Sequence, residues 1–137
     1  MSKHRVIPKI QAYMTMAPHT IGVEQTMAHA HEIMRKHRLR HLPVLSAQRL
    51  VGIVTDGDLH MVETLRDVDP LKVRVDEAMT QDVYTVTPDA PLDEVVYEMA
   101  RHKYGSAVIV DNQRVVGVFT TVDACRAFAD MLRAQLG

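Results

Sequence analysis

Apolar and polar positions along the chain switch from strand-like to helix-like spacing and back, and the whole cycle occurs twice. Two apolar runs, Leu42 to Leu45 and Leu50 to Val54, flank the polar Ser46 to Arg49. The arrangement returns as Ala107 to Val110 and Val115 to Phe119 around Asp111 to Arg114. Runs of this length bounded by turn-forming residues predict two β-hairpins. Ahead of each hairpin lie a short extended piece, Thr20-Ile21 or Thr85-Val86, and then an amphipathic helix. The second of these helices is the clearer. Leu92, Val95, Val96, Met99 and Ala100 recur at helical spacing after Pro91, a residue suited to a first helical turn. After each hairpin the chain passes through Thr55 or Thr120 into a further helix. In the second copy Val122, Cys125, Phe128, Ala129 and Leu132 share one face, which predicts that this face, Cys125 included, packs into the core. Met27, Met34, Met79 and Met99 fall at expected buried positions and carry no cofactor role.

The cycle is a sequence repeat. A shift of 65 positions carries Met14-Thr15 onto Met79-Thr80, Thr20 onto Thr85, Met34 onto Met99 and His37 onto His102 without a gap. The match continues through Gln48-Arg49 onto Gln113-Arg114, Val51-Gly52 onto Val116-Gly117, Thr55 onto Thr120 and Asp58 onto Asp123. The expected order is β-α-β-β-α, twice, with repeat 1 over 7–65, a connector over 66–75 and repeat 2 over 76–132. Two copies that each bury only part of their apolar surface are expected to pack on one another as one paired α+β module.

At 137 residues with 47% apolar content, the chain is long enough for such a core, and its 16 basic and 17 acidic residues nearly cancel. That balance leaves no long-range field to draw the protein to nucleic acid or an anionic membrane. One cysteine excludes an internal disulfide framework and suits a reducing compartment. Met1 to Ile10 is basic and interrupted by Pro8, unlike a signal peptide, and no apolar run approaches a membrane span, so a cytoplasmic location is expected.

The run Arg40-His41-Leu42-Pro43-Val44 and the signature Gly52-Ile53-Val54-Thr55-Asp56-Gly57-Asp58, repeated as Gly117-Val118-Phe119-Thr120-Thr121-Val122-Asp123, closely resemble the CBS (cystathionine-β-synthase-type) domain family. The resemblance covers roughly residues 7 to 132. It implies a Bateman module: tandem CBS repeats in a pseudo-twofold pair, sheets flanked by helices, associating as a homodimer and binding adenosine-containing ligands in clefts between the repeats. A stand-alone regulatory sensor in signal transduction, acting on an unidentified protein target, is the expectation, with AMP, ADP or ATP as ligand and no catalytic cofactor.

The residues themselves suggest how such a ligand is held. In Gly-x-x-Thr-x-x-Asp a strand ends at Thr, whose hydroxyl can cap the following helix while its first turn presents Asp. A carboxylate can accept hydrogen bonds from two vicinal ribose hydroxyls, and helix-start amides with a Thr hydroxyl can hold phosphate. Asp58 and Asp123 are therefore the ribose candidates, with Thr55 and Thr120 beside them. The same pairs would also cap helices with no ligand at all. The resemblance places adenine against Thr20, Ile21, Leu42, Pro43 and Val44 in the first copy. In the second it points to Thr85, Val86, Ala107, Val108 and Ile109, where Val108 replaces Pro43. Arg40-His41 suits phosphate and is matched by Gly105-Ser106, so phosphate binding is expected to be asymmetric. The basic run Arg35 to Arg40 reads equally as a solvated helix end.

Other classes are weaker. Eight histidines invite a metal, but His37 ends a helix where His41 begins a strand, and His29 and His31 point apart, so no metal site is expected. No nucleophile elbow, Walker loop or zincin motif appears, so no enzyme is expected. Aromatic content is 4% with no Trp, which argues against stacking on nucleic acid. The serious alternative is a structural dimerisation or protein-docking module without a physiological nucleotide.

Overall fold

The computed structural model describes residues 6–16 and 19–136; the first five residues of the basic N-terminal stretch lie outside it. The chain is mixed α+β, with four helices and two sheets, and forms two compact units. The first unit comprises residues 19–83, and the second joins residues 6–16 to 84–136.

In the first unit, strand β2 (Ile21–Gly22) is followed by helix α1 (Met27–His37), β3 (His41–Ser46), β4 (Arg49–Thr55) and helix α2 (Asp56–Arg66). The sheet order is β2-β3-β4, with β2 parallel to β3 and β3 antiparallel to β4. The second unit repeats this with β5 (Thr85–Val86), α3 (Leu92–His102), β6 (Ser106–Asp111), β7 (Arg114–Thr120) and α4 (Thr121–Leu136). The hairpins extend the apolar runs by about one residue at each end, because pairing carries on into the polar flanks. Both close through two left-handed residues, Ala47-Gln48 (φ 49° and 68°) and Asn112-Gln113 (φ 51° and 67°), the backbone twist that two-residue hairpin turns require. Each hairpin also shifts register once, between Val44 and Leu45 and between Ile109 and Val110.

Thr26 caps α1 by accepting from the His29 amide at 3.1 Å. Arg38 and Lys103, both left-handed, end α1 and α3. The predicted face of α3 is buried at Leu92, Val95 and Met99, half-buried at Val96 and exposed at Ala100, one position beyond the covered stripe. Met27, Met34 and Met99 are buried and Met79 packs partly buried against the first core, as expected.

The leading segments complete the cores. Ile10, fully buried, joins Leu92, Val95, Met99, Ala107, Ile109, Phe119 and Ala127 in the second unit. Val75, its counterpart 65 residues later, joins Ile21, Met27, Ala30, Met34, Leu42, Val44, Val54 and Leu59 in the first. The segments are stitched in by backbone bonds: Ile10 donates to Ala90 and Leu92 to Pro8, both at 2.8 Å, as Val75 donates to Gln25 and Met27 to Val73. A further strand, β1 (Thr15–Met16), pairs antiparallel with β7, and the matching Thr80 bridges Ile53 on β4. Gly52 permits that approach: a Cβ there would stand 2.7 Å from Met79 Sδ and 2.9 Å from the Thr80 carbonyl oxygen. The Met-Thr and Val-Gly pairs of the repeat therefore meet in space. The sequence repeat and the compact units are different partitions of the chain, since residues 6–16 fold with 84–136.

Helix α4 departs from expectation. Its buried residues are Asp123 and Ala127, whereas Val122, Cys125, Phe128 and Leu132 are exposed. Periodicity correctly marks an amphipathic helix, but the side of α4 that meets the second core carries a charged residue and a small one. Cys125 is not a core residue. Among the described residues no helix is long and apolar enough to cross a membrane.

Candidate functional site

In the first unit, β4 runs out at Thr55 and α2 begins. Thr55 Oγ1 accepts from the Asp58 amide at 3.0 Å, and Asp58 Oδ2 accepts from the Thr55 amide at 3.1 Å, a reciprocal capping box. One carboxylate oxygen is thus committed to the backbone. Asp58 is half-buried, and its Oδ1 has no hydrogen-bond partner among the described residues.

Register brings the other first-copy candidates to the same region. His41 pairs with Thr55 across β3 and β4, and the Asp56 amide donates to the Arg40 carbonyl at 3.1 Å. Ile21 sits beside Val44 in the parallel β2–β3 pair, with Thr20 just before it, half-buried. Leu42, Pro43 and Val44 are fully buried, and Leu42 and Val44 belong to the core. Backbone groups of β3, not those side chains, are what a ligand could meet.

The second unit presents the same frame in a different state. Thr120 ends β7 opposite Ser106, and Asp123 Oδ2 accepts from the Thr120 amide at 2.9 Å. Asp123, however, is 3% exposed, and both oxygens are engaged. Thr15 Oγ1 donates to Oδ1 at 3.1 Å and Oδ2 at 3.3 Å, and Arg126 Nη1 reaches Oδ1 at 3.2 Å. Ala107, Val108 and Ile109 are fully buried, Thr85 is exposed and Val86 half-buried.

A groove of about 450 Å³ opens in the first unit between the end of α1 and the start of α2, lined by His31, Met34, Arg35, Arg38, Leu39, Arg40 and Asp56. Arg35, Arg38 and Arg40 are exposed, and none forms an ion pair among the described residues. His31 is held by Glu63 at 2.8 Å. The basic run thus gathers round a concave surface, and Asp56, His31 and Met34, none of them a ligand candidate in the sequence, join it. The spacing of Arg35 and Arg38, three apart at a helix end, was the available signal. A cavity of about 360 Å³ in the second unit is lined by Tyr84, Val86, Glu94, Tyr97 and Glu98 among others. Burial first, then the Glu98, Tyr104 and Glu94 side chains, hold the Tyr84 hydroxyl above its ordinary pKa. Among the described residues no group of three His, Cys, Asp or Glu could hold a metal ion.

A sequence model of the CBS domain matches residues 10–62 and 75–130. The CBS domain pair of protein MJ0100, solved with 5′-methylthioadenosine and S-adenosyl-L-methionine, is 29% identical; the match covers 92% of this chain and 99% of that one at a TM-score of 0.82. Hypoxic Response Protein I, solved with two coordinated zinc ions, is 25% identical, with 88% and 98% covered and a TM-score of 0.73. L-aspartate semialdehyde sulfurtransferase of Methanocaldococcus jannaschii is 30% identical over 124 residues, which are 89% of this chain but only 23% of that enzyme.

Proposed function

Because this chain belongs to the CBS domain family, we propose that it is a regulatory module that binds an adenosine-containing ligand, AMP, ADP, ATP or a related adenosyl compound, and signals through a change in conformation or in homodimer packing. The observation that carries this reading is Asp58. It is half-buried, fixed by its capping box, and among the described residues keeps one carboxylate oxygen unengaged, at the strand end that bears Thr55 with Arg40 and His41 beside it. A carboxylate so oriented suits vicinal ribose hydroxyls. The adenine lies against Thr20, Ile21 and the backbone of Leu42, Pro43 and Val44.

At the Thr120–Asp123 element, with Thr85, Val86, Ala107 and Val108 around it, a ribose must first displace Thr15 and Arg126 from Asp123. The first copy is therefore the tighter site. The MJ0100 pair, solved with two adenosyl compounds, supports the ligand class. The homodimer is supported by the exposed apolar side of α4, where Val122 and Phe128 are 64% and 63% accessible. The reading assigns no catalytic residue and places the protein in the cytoplasm, where its lone cysteine stays reduced. Signalling requires unequal ligand affinity for two states.

Calorimetric titration with adenosine, AMP, ADP, ATP and S-adenosylmethionine tests the proposal. Saturable binding weakened about tenfold by Asp58→Ala, the scale of one or two hydrogen bonds to a charged group, is expected. No binding of any of the five at millimolar concentration overturns it. That result favours a dimerisation module, the reading to which the exposed face of α4 also points.

A further inference from the structure

We propose that the cavity beside α3 in the second unit binds an organic cation, a quaternary ammonium group of the size of choline, between the Tyr84 and Tyr97 rings and the Glu94 and Glu98 carboxylates. The site goes beyond the adenosine reading: Val86 lines this cavity, but Thr120, Asp123, Ala107 and Val108 do not.

Tyr84 stands just before β5, and Glu94, Tyr97 and Glu98 follow one another at helical spacing on α3, so one helix face presents a ring between two carboxylates. Among the described residues the lining holds no basic side chain. Like charges one turn apart on a helix repel, and the chain offsets them unevenly. Glu98 bonds His102 at 3.0 Å and lies 3.7 Å from Arg101, while Glu94 forms no ion pair among the described residues. Burial, then Glu98, Tyr104 and Glu94, raise the pKa of the Tyr84 hydroxyl, so the field of both carboxylates is felt at that ring. The ring is also braced: Tyr84 stacks on Tyr104 and Tyr104 on His102, each at 5.0 Å, which orders the wall before a ligand arrives. Aromatic faces attract positive charge, and the apolar lining of Val86 and Val95 suits N-methyl groups rather than a hydrated metal ion. No group of three metal-ligating side chains is present among the described residues. At the positions matching Tyr84, Glu94, Tyr97 and Glu98 the first unit has His19, His29, Glu32 and Ile33. Neither a tyrosine nor the carboxylate pair recurs there, so the site belongs to the second unit alone.

Calorimetric titration of the full chain at fixed ionic strength, with choline and with the neutral alcohol in which carbon replaces its charged nitrogen, tests the assignment. Choline should bind saturably, and the alcohol about tenfold more weakly. Tyr97→Phe should keep choline affinity, since the ring face is retained, whereas Tyr97→Leu should weaken it about fivefold and Glu94→Gln about threefold. Tyr97 is 67% accessible and Glu94 is exposed, so these variants leave the core intact. Equal binding of the neutral alcohol, no saturable choline binding at millimolar concentration, or binding indifferent to both Tyr97→Leu and Glu94→Gln overturns the proposal. Asp58→Ala, the variant that tests the adenosine reading, should leave choline binding unchanged, so each reading can fail without the other. Loss of choline binding in Asp58→Ala instead would move the cation to the first unit and also overturns the proposal.

Discussion

At the end of β4, Asp58 keeps one carboxylate oxygen unengaged among the described residues, whereas at the matching end of β7 Asp123 is buried under Thr15 and Arg126. The two motifs are the same three-residue spacing on the same strand-to-helix corner. What separates them is the neighbours. Arg126 lies one helical turn past Asp123, and the residue matching it after Asp58 is Met61. Thr80 bridges β4 as Thr15 pairs with β7, yet its hydroxyl makes no bond to Asp58 among the described residues. A motif fixes where a carboxylate stands; the side chains packed against it, Arg126 from the next turn and Thr15 from a distant segment, decide whether it is open to a ligand.

The largest effect should come from removing the two carboxylates. Asp123→Ala is expected to destabilise by about 3 kcal/mol, since it strips the Thr120 contact and leaves Thr15 and Arg126 without their acceptor, and Asp58→Ala by about 1 kcal/mol, the value of a cap. Urea denaturation compares them, and equal losses would break the contrast. Next, Gly52→Ala and Gly117→Ala should each cost about 2 kcal/mol by forcing a leading segment off its strand. Gly52→Ala should be the worse, because its Cβ would meet the facing carbonyl oxygen at 2.9 Å against 3.1 Å at Gly117. Thermal unfolding of the pair gives the order.

Exchanging the neighbours sharpens the comparison. Met61→Arg brings a guanidinium to Asp58 and should weaken adenosine binding by about 1 kcal/mol, roughly fivefold in Kd; Arg126→Met should strengthen binding at Asp123 by a similar step. Calorimetric stoichiometry separates the two sites. The smallest effect concerns His37, which stacks on His19 at 3.6 Å, while its counterpart His102 bonds Glu98 at 3.0 Å. Lost solvation, then His19 and Lys36, hold the His37 imidazole below its ordinary pKa of 6.5. The unfolded chain then takes up the proton first, so stability should fall as pH drops through about 6.5 and be flat above it. Stability measured against pH for wild type and His37→Asn checks this, the variant giving the flatter curve.

The hairpins, the four helices, the Thr-Asp corners and the buried methionines were legible in the sequence because each depends on residues within a few positions of one another: strand alternation, helical spacing, and a cap reaching three residues along. The strand Thr15–Met16 was not, since two residues carry no periodicity and its partner lies at Gly117-Val118. Met14-Thr15 and Val116-Gly117 were visible as repeated pairs, but not that one rests on the other. The α4 stripe of Val122, Cys125, Phe128 and Leu132 was visible as apolar, yet amphipathicity reports a face and not what covers it.

By itself, then, the order of residues determined a duplicated β-α-β-β-α frame and the corners at which a ligand-binding carboxylate could stand, because local geometry follows from neighbours in the chain. Only the tertiary structure decided that residues 6–16 fold with 84–136, that Asp123 is closed and Asp58 open, and that Arg35, Arg38 and Arg40 share one groove with Asp56. Those outcomes depend on groups brought together through space, Thr15 against Asp123 and Asp56 beside the arginines, whose separation along the chain carries no periodic signal.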